Sequence, residues 1–237
     1  VLPDAMAFEA AEAAVGDGGI TLGQIQGLGN GRTPLMVLQI DWVGLERWSL
    51  DIATDEPAML DLLEVMTAIT LDEIRCAARG PARQIKLWEN LSIETMGPGL
   101  YRRHLVPIYR EMLEILGAAG KRLLVHYDGK LRSIADDIAA LDIDGLDSFT
   151  EPPEGDLTVA EARAFWPDTF LWIHPNLGWY DRPRDQLEQS LRRVVTDAGP
   201  SRFCLMVSEE VPNRGAPAMA AVLEILADLP PLAVACQ

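Results

Sequence analysis

The sequence predicts an α/β fold: a (β/α)8 barrel in one domain, residues 1–237, visible from about its third strand onward. Three observations predict it. Short apolar runs alternate strictly with longer stretches of helical periodicity. The connections between them are a few residues long, and that alternation calls for parallel strands with right-handed crossovers. Several runs end abruptly in His, Asp, Glu or Asn, and barrel enzymes carry their chemistry at the carboxyl ends of strands.

Residues 1–16 read as a short helix stopped by the Gly-rich DGG. Residues 20–32 form a weak apolar segment ending in LGNGR, which is turn chemistry. PLMVLQID (34–41) reads as the first buried strand, with Trp42, Glu46 and Trp48 in a following loop or short helix. Asp55 can cap the next helix and Pro57 suits its first turn. Leu60, Leu63, Met66 and Thr67 carry that helix toward Gly80. ARQIKLWEN (82–90) is the second strand. Beyond Gly97-Pro98, Leu105, Ile108, Met112 and Ile115 mark a helix that Pro107 should kink.

RLLVHYDG (122–129) is the central strand, and Ile134, Ile138 and Leu141 trace the helix after it. GLDSFT (145–150) is a strand, followed by EPPEGD, which reads as a solvated turn, and a helix from Thr158 to Ala164. TFLWIHPN (169–176) is a strand ending in His174 and Asn176. Leu187, Leu191 and Val194 define the next helix. FCLMVSEE (203–210) is the last strand, and Met219, Val222, Leu223 and Leu226 the last helix.

The composition excludes some function classes. A formal charge of -16 repels phosphate backbones and anionic lipids, so no nucleic-acid or membrane partner is expected. No run of 18 apolar residues and no signal-peptide pattern occurs, which predicts a cytoplasmic chain. Its first residue is Val1 rather than Met, as in a fragment or processed product. Cys76, Cys204 and Cys236 fit no zinc-finger or disulfide spacing and read as reduced thiols. No G-x-G-x-x-G follows the first run and no G-x-x-x-x-G-K occurs, so nucleotide binding has no support.

On a strand, residues two apart share a face, so His126 and Asp128 point the same way. The bland alternative is a His–Asp hydrogen bond that orients a loop. His174 and Asn176 are candidate acid, base or substrate contacts, although His-Pro also simply ends a strand. Glu89 beside Trp88 is a candidate base with a raised pKa in an apolar pocket, or else an exposed carboxylate. Trp42, Trp88, Tyr127 and Trp172 are candidate substrate contacts, and Trp48 and Trp179 fall near strand ends too. Ordinary barrel–helix packing explains the tryptophans equally well. Arg102 and Arg103 read as a solvated helix face, and His104 as a surface or capping residue.

The ordered series LQIDWVGLERW, GPGLYRRHLVPIYREML, LLVHYDG, GLDSF, LWIHPNLG and MVSEEVPNRGAPAMAAV resembles the uroporphyrinogen decarboxylase superfamily, from about residue 34 to 228. That superfamily holds the decarboxylase and the methyltransferases that move methyl groups between a corrinoid, a thiol and simple methyl donors. LLVHYDG resembles the strand that carries a His-x-Cys metal pair in the methyltransferases, and SEEVP the strand end that carries a third ligand. The resemblance therefore implies a divalent metal, zinc first, on His126, Asp128 and Glu209, with carboxylates where the methyltransferases have thiolates. Oxygen donors also suit manganese or ferrous iron. It further implies a small organic substrate, with a corrinoid protein as a partner and a homodimer as an assembly open to it. Metal-free decarboxylation is the alternative reaction, although the Arg-rich segment and the aspartate loop of the decarboxylase have no counterpart here. A third alternative is a ligand-binding barrel without chemistry.

Overall fold

The computed structural model describes residues 5–206 and 216–229. Among the described residues six strands make a parallel sheet whose order, β1 to β6, is their order in the chain. Sequential order with parallel pairing is what repeated strand–helix units produce. The chain divides into two compact units, residues 1–91 with 95–126, and residues 92–94 with 127–237.

In the first unit, α1 (Ala5–Val15) precedes a two-residue strand, β1 (Gly23–Gln24). β1 pairs with β2 (Gln84–Ser92), Gly23 opposite Ile85 and Gln24 opposite Lys86. A side chain at position 23 would meet the Ala82 Cβ at 2.5 Å, so only glycine brings the chain this close. The neighbouring loop continues along β2, where the Trp88 N–H donates to the Gly31 carbonyl at 2.9 Å.

PLMVLQID is not the first strand. Pro34–Val37 is a turn of α-helix (α2) that widens into a π-helical segment over Leu38–Trp42. Residues 34 to 39 are all buried, so no alternation distinguishes the two forms, and a short apolar run suits a buried helix as well as a buried strand. Pro34 decides it, because the helical first turn needs no donor there and Thr33 is extended before it. The strand count stays at six because β1 takes the missing place.

α3 (Leu45–Ala53) buries Trp48 and Ile52. α4 (Pro57–Arg79) opens on Pro57 and ends at Gly80, as expected, and buries Met59, Met66, Thr70 and Ile74 down one face. Asp55 does not cap it: Glu56 holds the N-cap position without a side-chain bond, and Asp55, at φ 52°, pairs with Arg103 at 2.7 Å. α5 (Ile93–Leu100) breaks at Gly97, and Tyr101–Leu105 is again π-helical before α6 (Val106–Ala118). Pro107 lies in the first turn of α6, where its missing N–H is tolerated, and the wide turn falls directly before it. Leu105, Ile108 and Met112 are buried as the spacing predicts. β3 (Arg122–Asp128) joins β2 in this unit through the Arg122 N–H to the Arg83 carbonyl.

The second unit carries α7 (Ala135–Leu141), β4 (Gly145–Phe149), α8 (Val159–Phe165), β5 (Phe170–Ile173), α9 (Arg184–Ala198), β6 (Phe203–Leu205) and α10 (Ala216–Ala227). Ile134, Ile138 and Leu141 are buried, as are Leu187, Leu191 and Val194. The last helix turns differently from the prediction: Val222 and Ile225 are buried and Leu223 is exposed. β4, β5 and β6 pair in parallel, with Leu146 opposite Leu171 and Trp172 opposite Cys204. EPPEGD is not a solvated turn throughout. Glu151 is buried, accepting two hydrogen bonds from Arg193 at 2.9 and 2.5 Å and one from the Val159 N–H. Buried charge needs such a partner, and the Arg193 fork supplies it. Among the described residues no helix is long and apolar enough to cross a membrane.

Candidate functional site

The second unit holds a group of polar side chains at the carboxyl ends of β3, β4 and β5. Leu146 opposes Leu171 and Phe149 opposes Ile173, so Asp147 falls in the irregular stretch between those pairs, and His174 follows Trp172 by two on β5's line. The His174 Nε2 lies 3.7 Å from Asp147 Oδ1, with the imidazole 18 % exposed and the carboxylate 1 %. His174 is held by its own N–H, which donates to the Phe149 carbonyl at 2.9 Å. Its Nε2 is buried with no hydrogen-bond partner among the described residues. An imidazole so placed can take a proton, and the charge it gains faces a carboxylate.

Next to this pair the pairing of β4 with β5 slips between Leu146 and Phe149, and Ser148 adopts φ 67°. A bulge re-aims a side chain, and left-handed geometry is strained for a residue with a Cβ. Here the Ser148 hydroxyl donates to Asp128 Oδ1 at 3.0 Å. Asp128 is therefore oriented by a strained neighbour. Asn176 is spent differently: its buried amide donates to the Glu151 and Pro152 carbonyls at 2.9 and 3.3 Å. It fastens the loop after β4.

In the first unit, Trp88 and Glu89 lie midway along β2, which runs on to Ser92 rather than ending at Asn90, and they point to opposite faces. Trp88 is part-exposed, with the Lys86 Nζ 3.4 Å from its ring centroid and the His126 ring 5.7 Å away, tilted by 33°. Glu89 is fully buried. Both its oxygens accept from the Thr33 N–H at 3.2 Å, and Oε2 from the Thr33 hydroxyl at 3.0 Å. Burial raises its pKa to about 7, against the opposing pull of Thr33, the Tyr109 hydroxyl and Arg32. The expected pKa shift is present, but the carboxyl holds the start of α2 rather than facing a substrate.

Tyr127 alternates with His126 and Asp128 and is buried on the opposite face of β3. Trp42 ends the π-helical segment instead of a strand and is more than half exposed. Trp172 is half-buried on the face that carries His174. Trp48 and Trp179 are buried packing residues. Cys76 and Cys204 are in no disulfide, while Cys236 and the expected ligand Glu209 lie outside the described residues. Among the described residues no three His, Cys, Asp or Glu are placed to hold a metal ion. His126 and Asp128 offer one nitrogen and one oxygen donor, fewer than the three protein ligands of a catalytic zinc, so they do not complete a metal site by themselves.

Sequence reasoning missed Asp147 and Ser148. The signal was present: two polar residues inside GLDSF, a strand otherwise buried from end to end. No family model matches the chain, and no curated protein matches it either.

Proposed function

We propose that this chain is an enzyme acting on a small organic molecule at the carboxyl ends of its parallel strands, and that the reaction is a methyl transfer. The reaction class and the barrel form of the sheet come from the resemblance to the uroporphyrinogen decarboxylase superfamily. The observation that carries the reading is the His174–Asp147 pair, a partly accessible imidazole backed by a buried carboxylate.

In transfer of a methyl group to a thiol or hydroxyl, the acceptor's lone pair forms the new bond to carbon as the donor–carbon bond breaks. The electron pair of that bond leaves with the donor, and the acceptor's proton must leave. His174 takes that proton at Nδ1, the ring nitrogen that does not face Asp147, and Asp147 beside Nε2 stabilises the imidazolium produced. Trp172 offers an apolar wall on the same face. The divalent metal and the corrinoid-carrying partner rest on the resemblance alone, and no step is assigned to them.

The test uses methylcobalamin as donor and 2-mercaptoethanol as acceptor. Turnover is expected, and His174→Ala and Asp147→Asn should each lower kcat by about 10²-fold or more with KM little changed. Absence of turnover defeats methyl transfer, and undiminished variants defeat the roles given to the pair. Elemental analysis of the native chain and of His126→Ala checks the metal: none in either form removes it from the proposal. The same imidazole can protonate a carbanion left by loss of carbon dioxide. Turnover of uroporphyrinogen that depends on His174 would move the reading to metal-free decarboxylation.

A further inference from the structure

Beside the His174–Asp147 pair, β4 and β5 fall out of step by one residue. Leu146 opposes Leu171 and Phe149 opposes Ile173, so three steps along β4 match two along β5. Leu171 and Ile173, two apart, share a face, and so do residues paired across parallel strands. Leu146 and Phe149 therefore share a face as well, which residues three apart in a regular strand do not. An extra residue in β4 is what allows it. Ser148 takes up the slack at φ 67°, the left-handed region that suits glycine and strains a residue with a Cβ.

In regular pairing Ser148 would oppose Ile173, and Phe149 would turn to the face of His174. The bulge removes that ring from the site: Phe149 is buried instead against Trp166, edge to face, with centroids 6.4 Å apart. It also places the Phe149 carbonyl where it accepts from the His174 N–H at 2.9 Å. The two polar residues before it reach opposite neighbours. Asp147 lies 3.7 Å from His174 of β5, and the Ser148 hydroxyl donates to Asp128 of β3 at 3.0 Å. The Thr150 hydroxyl braces the turn by donating to the Ser148 carbonyl at 3.0 Å.

We infer that Ser148 is a positioning residue that acts through its left-handed backbone: it shifts β4 by one residue, directs Asp147 to His174 and turns Phe149 away from both. The kinetic consequence rests on the role proposed above for the His174–Asp147 pair; the placement itself does not.

Two variants of the whole chain separate backbone from hydroxyl. Ser148→Gly adopts the left-handed region freely and loses the donor to Asp128, whereas Ser148→Thr keeps the donor but its branched Cβ resists that region. In the methylcobalamin assay Ser148→Gly should lower kcat about threefold, the effect of one lost hydrogen bond. Ser148→Thr should lower it at least about tenfold, the effect of forcing the turn, with KM little changed in either. A hydroxyl that only braces Asp128 gives the reverse order, and the reverse order or equal losses would overturn the inference. Acylation of His174 by diethyl pyrocarbonate, mapped by mass spectrometry, reads the same placement without turnover. Attack by the imidazole builds positive charge that Asp147 stabilises, so Asp147→Asn should slow it about threefold or more, with Ser148→Thr alike and Ser148→Gly less affected. Equal rates in the native chain and Ser148→Thr would also overturn it. If the native chain transfers no methyl group while the acylation rates fall in the expected order, the proposed reaction fails and the positioning stands. Should Ser148→Thr not fold, Ser148→Ala, which disfavours the left-handed region more than glycine does, must fall below Ser148→Gly in both readouts.

Discussion

Glu89 couples one proton to the stability of the first unit. Its folded pKa is about 7, against an ordinary value near 4.5, because burial penalises the ionised form more than Thr33, Tyr109 and Arg32 favour it. Between those two values the folded chain keeps a proton that the unfolded chain has released. Stability from this group is therefore fully present below about pH 4.5, falls as pH rises toward 7, and is level above that. The loss amounts to a few kcal/mol. Glu89→Gln removes the titration and resembles the protonated carboxyl, so urea midpoints of native chain and variant should be closest near pH 5 and separate as pH rises past 7, the native chain falling relative to the variant. Parallel curves would refute the coupling. Glu89→Ala is a different experiment, because it strands the Thr33 donors and opens a cavity. It should cost about 2–4 kcal/mol in the same urea assay at pH 5, where the native carboxyl is protonated. At this scale the sequence was half legible. A carboxylate after an apolar run announces a shifted pKa, but not that Thr33, 56 positions earlier, will occupy it.

Elements were legible where local chemistry and tertiary demand agree. α8 is the clearest case: Thr158 accepts from the Glu161 N–H, and the Glu161 carboxylate accepts from the Thr158 N–H and hydroxyl. Thr158→Ala should lower stability by about 1 kcal/mol, read from the denaturation midpoint. The Thr158 N–H first, then Arg132 at 2.6 Å, holds the Glu161 pKa down to about 2. Its contribution is therefore present above the ordinary carboxylate range and disappears as pH falls toward 2, and Glu161→Gln should flatten that acid limb. PLMVLQID shows the opposite case. Its residues suit a strand, yet Pro34 and the tie from Thr33 to Glu89 make it helical, and only the proline is visible locally. β1 was invisible for a related reason. Two residues carry no period, and its place beside β2 depends on a glycine that packs against Ala82. The His174–Asp147 pair needed register between two strands, which no spacing along one run supplies.

At the scale of the whole molecule, charge is the property that composition states outright. The chain has 36 acidic against 20 basic side chains. Most described ion pairs are between exposed groups, such as Arg75 with Glu111 and Arg184 with Glu224, and such pairs contribute about 0–1 kcal/mol each. Arg193 with buried Glu151 is the kind that salt screens little. Added salt therefore has two opposed effects: it weakens the surface pairs slightly and screens the mutual repulsion of the excess carboxylates. With an excess of 16 negative charges the second effect should win. Raising sodium chloride from about 10 mM to about 0.5 M shortens the screening length from roughly 30 Å to under 5 Å, below the usual spacing of surface charges. The melting midpoint at pH 7 should rise by a few degrees across that range. At pH 4.5, near the isoelectric point, the excess is titrated away and the same salt should change the midpoint little. A midpoint that falls with salt at pH 7 would mean that the surface pairs, not the net charge, govern the electrostatic part of this fold's stability.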